Sequence, residues 1–263
     1  MKKKKVILSY KLSGKKGPVV VLFHAFPLLG GMWDSQRQEL GQIARVLVPD
    51  FPGLGRSKSV KAGTIQEMAR QVAVLLENLS IKEPVMVAGL SMGGYVVLEF
   101  VRLFPSRVKA LGLFATRASA DSPEQKIKRY EAVKNVRAHG IAPLVRAMIP
   151  KLLGKTSLSS RQDVVRMVQR KMVSATDSAG VMNALLAMAK RRDNTSYLEK
   201  IKCPALILAG KEDNVIPLDE MRLLKEKIKS SKFFIFPKAG HLLNLEEPSR
   251  FNKLLSQFVK KLR

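Results

Sequence analysis

Pro84-Val85-Met86-Val87-Ala88-Gly89-Leu90-Ser91-Met92-Gly93-Gly94 reads as a strand, a sharp turn and the start of a helix. Val85 to Ala88 is a short apolar run, the pattern of a buried strand, and it breaks at Gly89. A helical pattern starts at Gly93-Gly94 and carries Val96, Val97, Phe100, Val101 and Leu103. Between the two lies Gly89-x-Ser91-x-Gly93. The turn is too sharp for side chains at its flanks, and glycine leaves room for it. Such a turn lifts the Ser91 hydroxyl above the sheet edge. It also brings the Met92 N–H and the positive end of the next helix near any oxyanion formed there. A Gly-rich turn with a bystander serine has the same five residues, so a base, an acid and a second oxyanion donor must be sought elsewhere in the chain.

Upstream, Pro18 to His24 is a continuous apolar run, as in a strand covered on both faces of a parallel sheet. It ends in His24-Ala25-Phe26-Pro27. Trp33 to Ile43 reads as a short helix after a Gly30-Gly31 break, and Arg45 to Asp50 as the next strand. That strand runs into the Gly/Pro-rich loop Asp50 to Ser57. Thr64-Ile65-Gln66-Glu67 has capping-box spacing, and Ile65, Met68, Ala69, Val72, Leu75, Leu76 and Leu79 follow it as a helical stripe. Val6 to Tyr10 reads as a first edge strand with a lysine-protected end. Lys11 interrupts the apolar run, which is too short for a signal peptide.

Downstream, Lys109 to Thr116 is another strand. From Thr116 to about Lys200 the character changes, and no strand run appears. Ser122-Pro123-Glu124-Gln125 opens a helix that His139-Gly140 closes. Ile141 to Leu153, Ser160 to Val173 and Ser178 to Ala189 are further helical segments. Met148, Met167, Met172, Met182 and Met188 fall in this block, where most are expected to be core. Pro204 to Gly210 returns to strand and ends in Lys211-Glu212-Asp213-Asn214. Leu218 to Ile228 is helical. Phe233 to Phe236 is a last strand, followed by Pro237-Lys238-Ala239-Gly240-His241. Glu246-Glu247-Pro248 opens a final helix with Phe251, Leu254, Leu255, Phe258 and Val259 on one face. Lys260, Lys261 and Arg263 lie at its negative end. Alternating strands and helices predict an α/β fold, a mostly parallel sheet with helices on both faces. Residues 1–115 and 201–263 form its core domain, and residues 116–200 form an inserted helical cap.

At 263 residues and 46% apolar content, the length suits one large domain with a full core and leaves room for two small ones. No run approaches the roughly 20 apolar residues that span a bilayer. Cys203 is the single cysteine, so no intramolecular disulfide forms. It reads as a small core residue in a reducing, cytoplasmic setting. The formal net charge of +26 raises nucleic acid or an anionic membrane as partners. The basic residues are, however, spread along the whole chain with no aromatic residues interleaved, and no recognition helix or zinc-finger pattern appears. A solvated basic surface that favours anionic substrates is the simpler account.

Functional groups of such a sheet collect at the carboxyl ends of its strands. His24, Ser91, Asp213 and His241 stand there. A serine nucleophile needs a neutral imidazole, and the imidazole needs an acid to hold its tautomer. Of the three histidines, His139 closes a helix in the insert, His24 directly follows its strand, and His241 lies on a Gly-preceded loop. Asp213 follows a strand end, with Glu212 and Asp50 as competing carboxylates. Ser91…Asp213…His241 is also the chain order of one known serine-hydrolase arrangement.

With His24-Ala25-Phe26-Pro27, Asp50-x-x-Gly53-x-Gly55-x-Ser57, Gly89-Leu90-Ser91-Met92-Gly93-Gly94, Gly210-Lys211-Glu212-Asp213-x-x-x-Pro217 and Gly240-His241-x-x-x-x-Glu246-x-Pro248, the chain resembles the α/β-hydrolase superfamily over nearly its whole length. It is most similar to the 3-oxoadipate enol-lactonase-like and small carboxylesterase group. The resemblance implies catalysis by Ser91 as nucleophile, His241 as base and Asp213 as acid, with the Phe26 and Met92 amides as the oxyanion hole. His24 would shape the oxyanion loop. Ala25 departs from the glycine usual there, and its methyl group disfavours a positive φ. Phe26, Leu28, Trp33, Met92, Leu144, Met148, Leu152, Met182, Leu185 and Leu242 are candidates to line the substrate pocket.

The implied activity is hydrolysis of a carboxylic ester or lactone on a small-molecule acyl substrate, with no metal or organic cofactor. Two other readings share the scaffold. One is a ligand-sensing or regulatory protein with slow turnover, and the other a C–C bond hydrolase or perhydrolase using the same triad. Nothing in the sequence separates a monomer from a dimer.

Overall fold

The computed structural model describes residues 8–57, 63–173 and 177–262. Seven strands form one sheet: β1 (Tyr10–Ser13), β2 (Val19–Phe23), β3 (Arg45–Pro49), β4 (Val85–Leu90), β5 (Val108–Phe114), β6 (Ala205–Gly210) and β7 (Ser231–Phe236). Their order is β1-β3-β2-β4-β5-β6-β7. Among the described residues only β1 runs antiparallel, beside β3, and every other pairing is parallel. The edge strand expected at Val6 to Tyr10 is found at Tyr10–Ser13, and Val6 and Ile7 lie outside the described residues.

Period-2 alternation in the central strands builds two cores. On β2, Val19, Val21 and Phe23 face one layer, Val20 and Leu22 the other. On β4, Val85 and Val87 face the first layer, and Met86, Ala88 and Leu90 the second. The first layer is covered by α2 (Ile65–Asn78), α3 (Met92–Leu103) and α9 (Leu218–Lys227). The second is covered by α1 (Asp34–Leu40) and α11 (Pro248–Lys260). Thr64 caps α2 by accepting the Glu67 N–H at 3.0 Å.

Among the described residues five α-helices lie between β5 and β6: α4 (Pro123–His139), α5 (Ala142–Leu152), α6 (Lys155–Ser160), α7 (Gln162–Val173) and α8 (Ser178–Ala189). A full capping box starts α4, with Ser122 and Gln125 exchanging hydrogen bonds. Two short α-helices among the described residues lie outside the helical segments read from the sequence. One is α6, which follows Gly154 and ends at Arg161, where φ is −130° and ψ 65°. The other is α10 (Leu243–Glu246). The final helix was expected to open at Glu246. Instead the chain breaks at Glu247, with φ −128° and ψ 62°, because Pro248 bars the helical conformation from the residue before it. Met172 and Met188 are buried in the insert, whereas Met148, Met167 and Met182 are half-buried. Cys203 is half-buried against the core rather than within it. No helix among the described residues is long and apolar enough to cross a membrane.

Candidate active site

Ser91 stands between β4 and α3 with φ 55° and ψ −115°, a conformation that costs a non-glycine residue and persists only where its surroundings impose it. Those surroundings are specific. The Ser91 N–H donates to Phe114 O at 3.0 Å, and Ser91 O accepts the Gly94 N–H, the Tyr95 N–H and the Thr116 hydroxyl. The glycines answer a steric demand. A Cβ on Gly89 would lie 2.3 Å from the Gly93 carbonyl carbon, and one on Gly93 would lie 2.3 Å from Phe23 O. The turn therefore closes on itself and presses onto the end of β2.

Asp213 and His241 meet beyond the ends of β6 and β7. Asp213 Oδ2 lies 2.8 Å from His241 Nδ1, and the two side chains are only 3% and 1% exposed. Asp213 Oδ1 accepts the Val215 and Ile216 amides at 2.7 and 3.0 Å, which orients the carboxylate. An accepting carboxylate puts the imidazole proton on Nδ1 and leaves Nε2 as the basic nitrogen. Glu212, the competing acid, is engaged elsewhere: it takes the Thr156 N–H at 2.8 Å and the Thr156 hydroxyl at 2.6 Å.

His24 is buried and neutral by its bonding. The Phe51 N–H donates to Nε2 at 3.0 Å, so Nδ1 holds the proton and donates to Ala25 O at 3.0 Å. Its ring packs 4.7 Å from that of Phe51. Burial is the main cause that lowers its pKa from 6.5, against the raising effects of the Ala25 carbonyl and Asp50. His24 thus ties the Ala25–Phe26 loop to the loop after β3. Asp50 secures the same region by accepting the Gly30 N–H at 2.8 Å. Ala25 is not among the residues with positive φ, so its methyl group is accommodated. Among the described residues neither the Phe26 nor the Met92 amide donates to a protein acceptor. Both are the donors expected to face an oxyanion.

The expected pocket residues divide. Leu28 and Trp33 are fully buried, and Trp33 packs against Phe114 and Phe251 in the layer over α11. That makes Trp33 a core residue rather than a pocket wall; an indole this large fills the space between sheet and helix. Leu152, Leu185 and Leu242 are also buried, whereas Leu144, Met148 and Met182 are half-buried at the insert. A cavity of about 260 Å³ lined by Lys11, Asp50, Arg56 and Lys171 lies away from Ser91, Asp213 and His241, none of which lines it. Among the described residues no three His, Cys, Asp or Glu side chains converge as a metal site requires.

Residues outside the Ser91, Asp213 and His241 set brace the segments around them. Thr116 grips the elbow carbonyl at 2.8 Å. Asp121, in the segment before α4, binds Arg117, Arg129 and Arg191 at the root of the insert. Burial pushes its carboxyl up, but Arg129 and Arg191 outweigh that and hold it below the usual range. Glu246 accepts four donors around the His241 loop. Glu246 belongs to Gly240-His241-x-x-x-x-Glu246-x-Pro248, whereas Thr116 and Asp121 carry no local signal.

The chain belongs to the alpha/beta hydrolase fold family, whose model matches residues 18–248. It is 28% identical over 256 residues to 3-oxoadipate enol-lactonase 1 of Acinetobacter baylyi, with 97% of this chain and 94% of that protein covered. It is 29% identical over 258 residues to a dihydrolipoyllysine-residue acetyltransferase component of the acetoin cleaving system from Pseudomonas putida. There the match covers 96% of this chain but only 66% of the relative's length. Among solved structures, a thermophilic esterase from Thermogutta terrifontis, with malate bound, superposes with a TM-score of 0.93 at 36% identity. That match covers 97% of this chain and 93% of the esterase.

Proposed function

We propose that the protein is a serine hydrolase that cleaves a carboxylic ester or lactone through an acyl-enzyme. The observation that carries this reading is the 2.8 Å pairing of Asp213 Oδ2 with His241 Nδ1, on the sheet edge where the left-handed Ser91 stands. Ser91 Oγ attacks the acyl carbonyl while His241 Nε2 takes its proton. The imidazolium then returns that proton to the leaving alkoxide, and a water activated by the same nitrogen releases the acid. Asp213 keeps the tautomer and stabilises the imidazolium. The Met92 and Phe26 amides hold the oxyanion, each donor of this kind contributing about 3–4 kcal/mol to the transition state.

Residues 116–200 act as a cap over the core formed by 1–115 and 201–263, and shape the acyl pocket. Similarity to an esterase and to an enol-lactonase supports the ester or lactone bond as the target. The net charge of +26 favours anionic acyl substrates at encounter. The test is labelling and turnover. A fluorophosphonate probe labels Ser91, and Ser91→Ala lowers kcat on short p-nitrophenyl esters by about 10⁴-fold or more. Retained turnover in Ser91→Ala overturns the reading.

A further inference from the structure

Glu246 is fully buried on α10. Its Oε1 accepts the Gly240 N–H at 3.0 Å and the Leu242 N–H at 3.2 Å, the amides on either side of His241. Its Oε2 accepts the Gly154 N–H at 2.8 Å and the Ser157 hydroxyl at 2.7 Å, where α5 gives way to α6. All four partners donate. A carboxylate satisfies them, whereas an amide turns its own NH₂ towards one pair.

The same inserted segment reaches the loop by its backbone. Leu152 O accepts the His241 N–H at 3.1 Å and the Leu242 N–H at 3.3 Å. The two chains touch at glycine: a Cβ on Gly240 would lie 2.3 Å from Gly154 N. Thr156 in turn holds Glu212, the neighbour of Asp213. The base-bearing and acid-bearing loops are therefore both tied to residues 152–157.

We propose that Glu246 is a positioning residue that locks the His241 loop onto the Leu152–Ser157 segment, so that the aim of the imidazole depends on the seating of the inserted helices. Its effect on turnover rests on the serine-hydrolase reading; its effect on the His241 ring does not. Loss of the carboxylate leaves buried donors unpaired, and the loop relaxes to satisfy them.

The test uses the full chain with Glu246→Gln and Ser157→Ala, and reads kcat and KM on p-nitrophenyl acetate. Alongside, ¹⁵N-histidine NMR reads the His241 ring nitrogens, uncrowded because the chain has three histidines. Glu246→Gln lowers kcat about tenfold or more with KM within about threefold, the pattern of a displaced base, and shifts the His241 ring signals. Ser157→Ala, which removes only the insert's side-chain share, moves both in the same direction by less. Unchanged ring signals and kcat in folded Glu246→Gln overturn the proposal. Where Glu246→Gln does not fold, unchanged ring signals in Ser157→Ala overturn it. If the wild type hydrolyses no ester, the hydrolase reading fails, and the ring signals still decide the role of Glu246.

Discussion

Thr116 Oγ1 donates to Ser91 O at 2.8 Å, joining the segment after β5 to the strained residue at the elbow. Ser91 O has two other donors, the Gly94 and Tyr95 amides. Thr116→Val therefore leaves the carbonyl partly satisfied. It should cost about 1 kcal/mol in urea unfolding, the value of one hydrogen bond. It should also slow fluorophosphonate labelling of Ser91, because the left-handed backbone has lost one of its restraints.

Asp213 and Glu212 are adjacent carboxylates with different duties, and substitution should separate them. Asp213→Asn presents an amide to His241 Nδ1 and favours the wrong tautomer, so kcat should fall by about 10⁴-fold with the fold intact. Glu212→Gln keeps an oxygen for Thr156 and should lose far less. Steady-state kinetics on one p-nitrophenyl ester, with circular dichroism as the folding control, compares the two.

Asp121 is a buried carboxylate facing three guanidiniums, with its side chain 0% and that of Arg191 2% exposed. Removing it strands positive charge in a poorly solvated place. Asp121→Ala should destabilise the chain by about 3–5 kcal/mol, as breaking a buried ion pair does. A thermal melt against wild type measures the loss.

His24 makes stability pH-dependent in a direction that can be worked out. Its folded pKa is lowered from 6.5, chiefly by burial, so between the two values the unfolded chain binds the extra proton. Stability then rises with pH over that window. The contribution of His24 is complete above 6.5 and is lost as pH falls from there through the folded value. Urea unfolding at about pH 7.5 and about pH 5 should show a larger loss on acidification for wild type than for His24→Gln. Equal losses would mean that His24 is not held neutral.

Much of the sheet was legible because its signals are local. Val85 to Ala88 and Pro204 to Gly210 are apolar runs bounded by breakers, and the strands they signal, Val85–Leu90 and Ala205–Gly210, lie inside the sheet and are buried throughout. The helices at Pro123–His139 and Ser178–Ala189 announce themselves by Ser122 with Gln125 and by the apolar content of the second. The short turns were not legible. A helix the length of α6 or α10 carries too little periodicity, and both are held by distant partners: Gly154 by Glu246, 92 residues on, and Thr156 by Glu212, 56 residues on.

The candidate site divides along the same line. Gly89-x-Ser91-x-Gly93 and the chain order Ser91, Asp213, His241 are properties of the sequence alone, because a turn needs its glycines and a strand end needs its breaker wherever the rest of the chain lies. Tertiary structure engaged Glu212 with Thr156 and left Asp213 to His241, packed Trp33 against Phe114 and Phe251, and set Thr116 on the Ser91 carbonyl and Glu246 under the His241 loop. Those outcomes depend on which buried donors and charges are left without a partner once distant segments meet, and a buried polar group is costly until one is found.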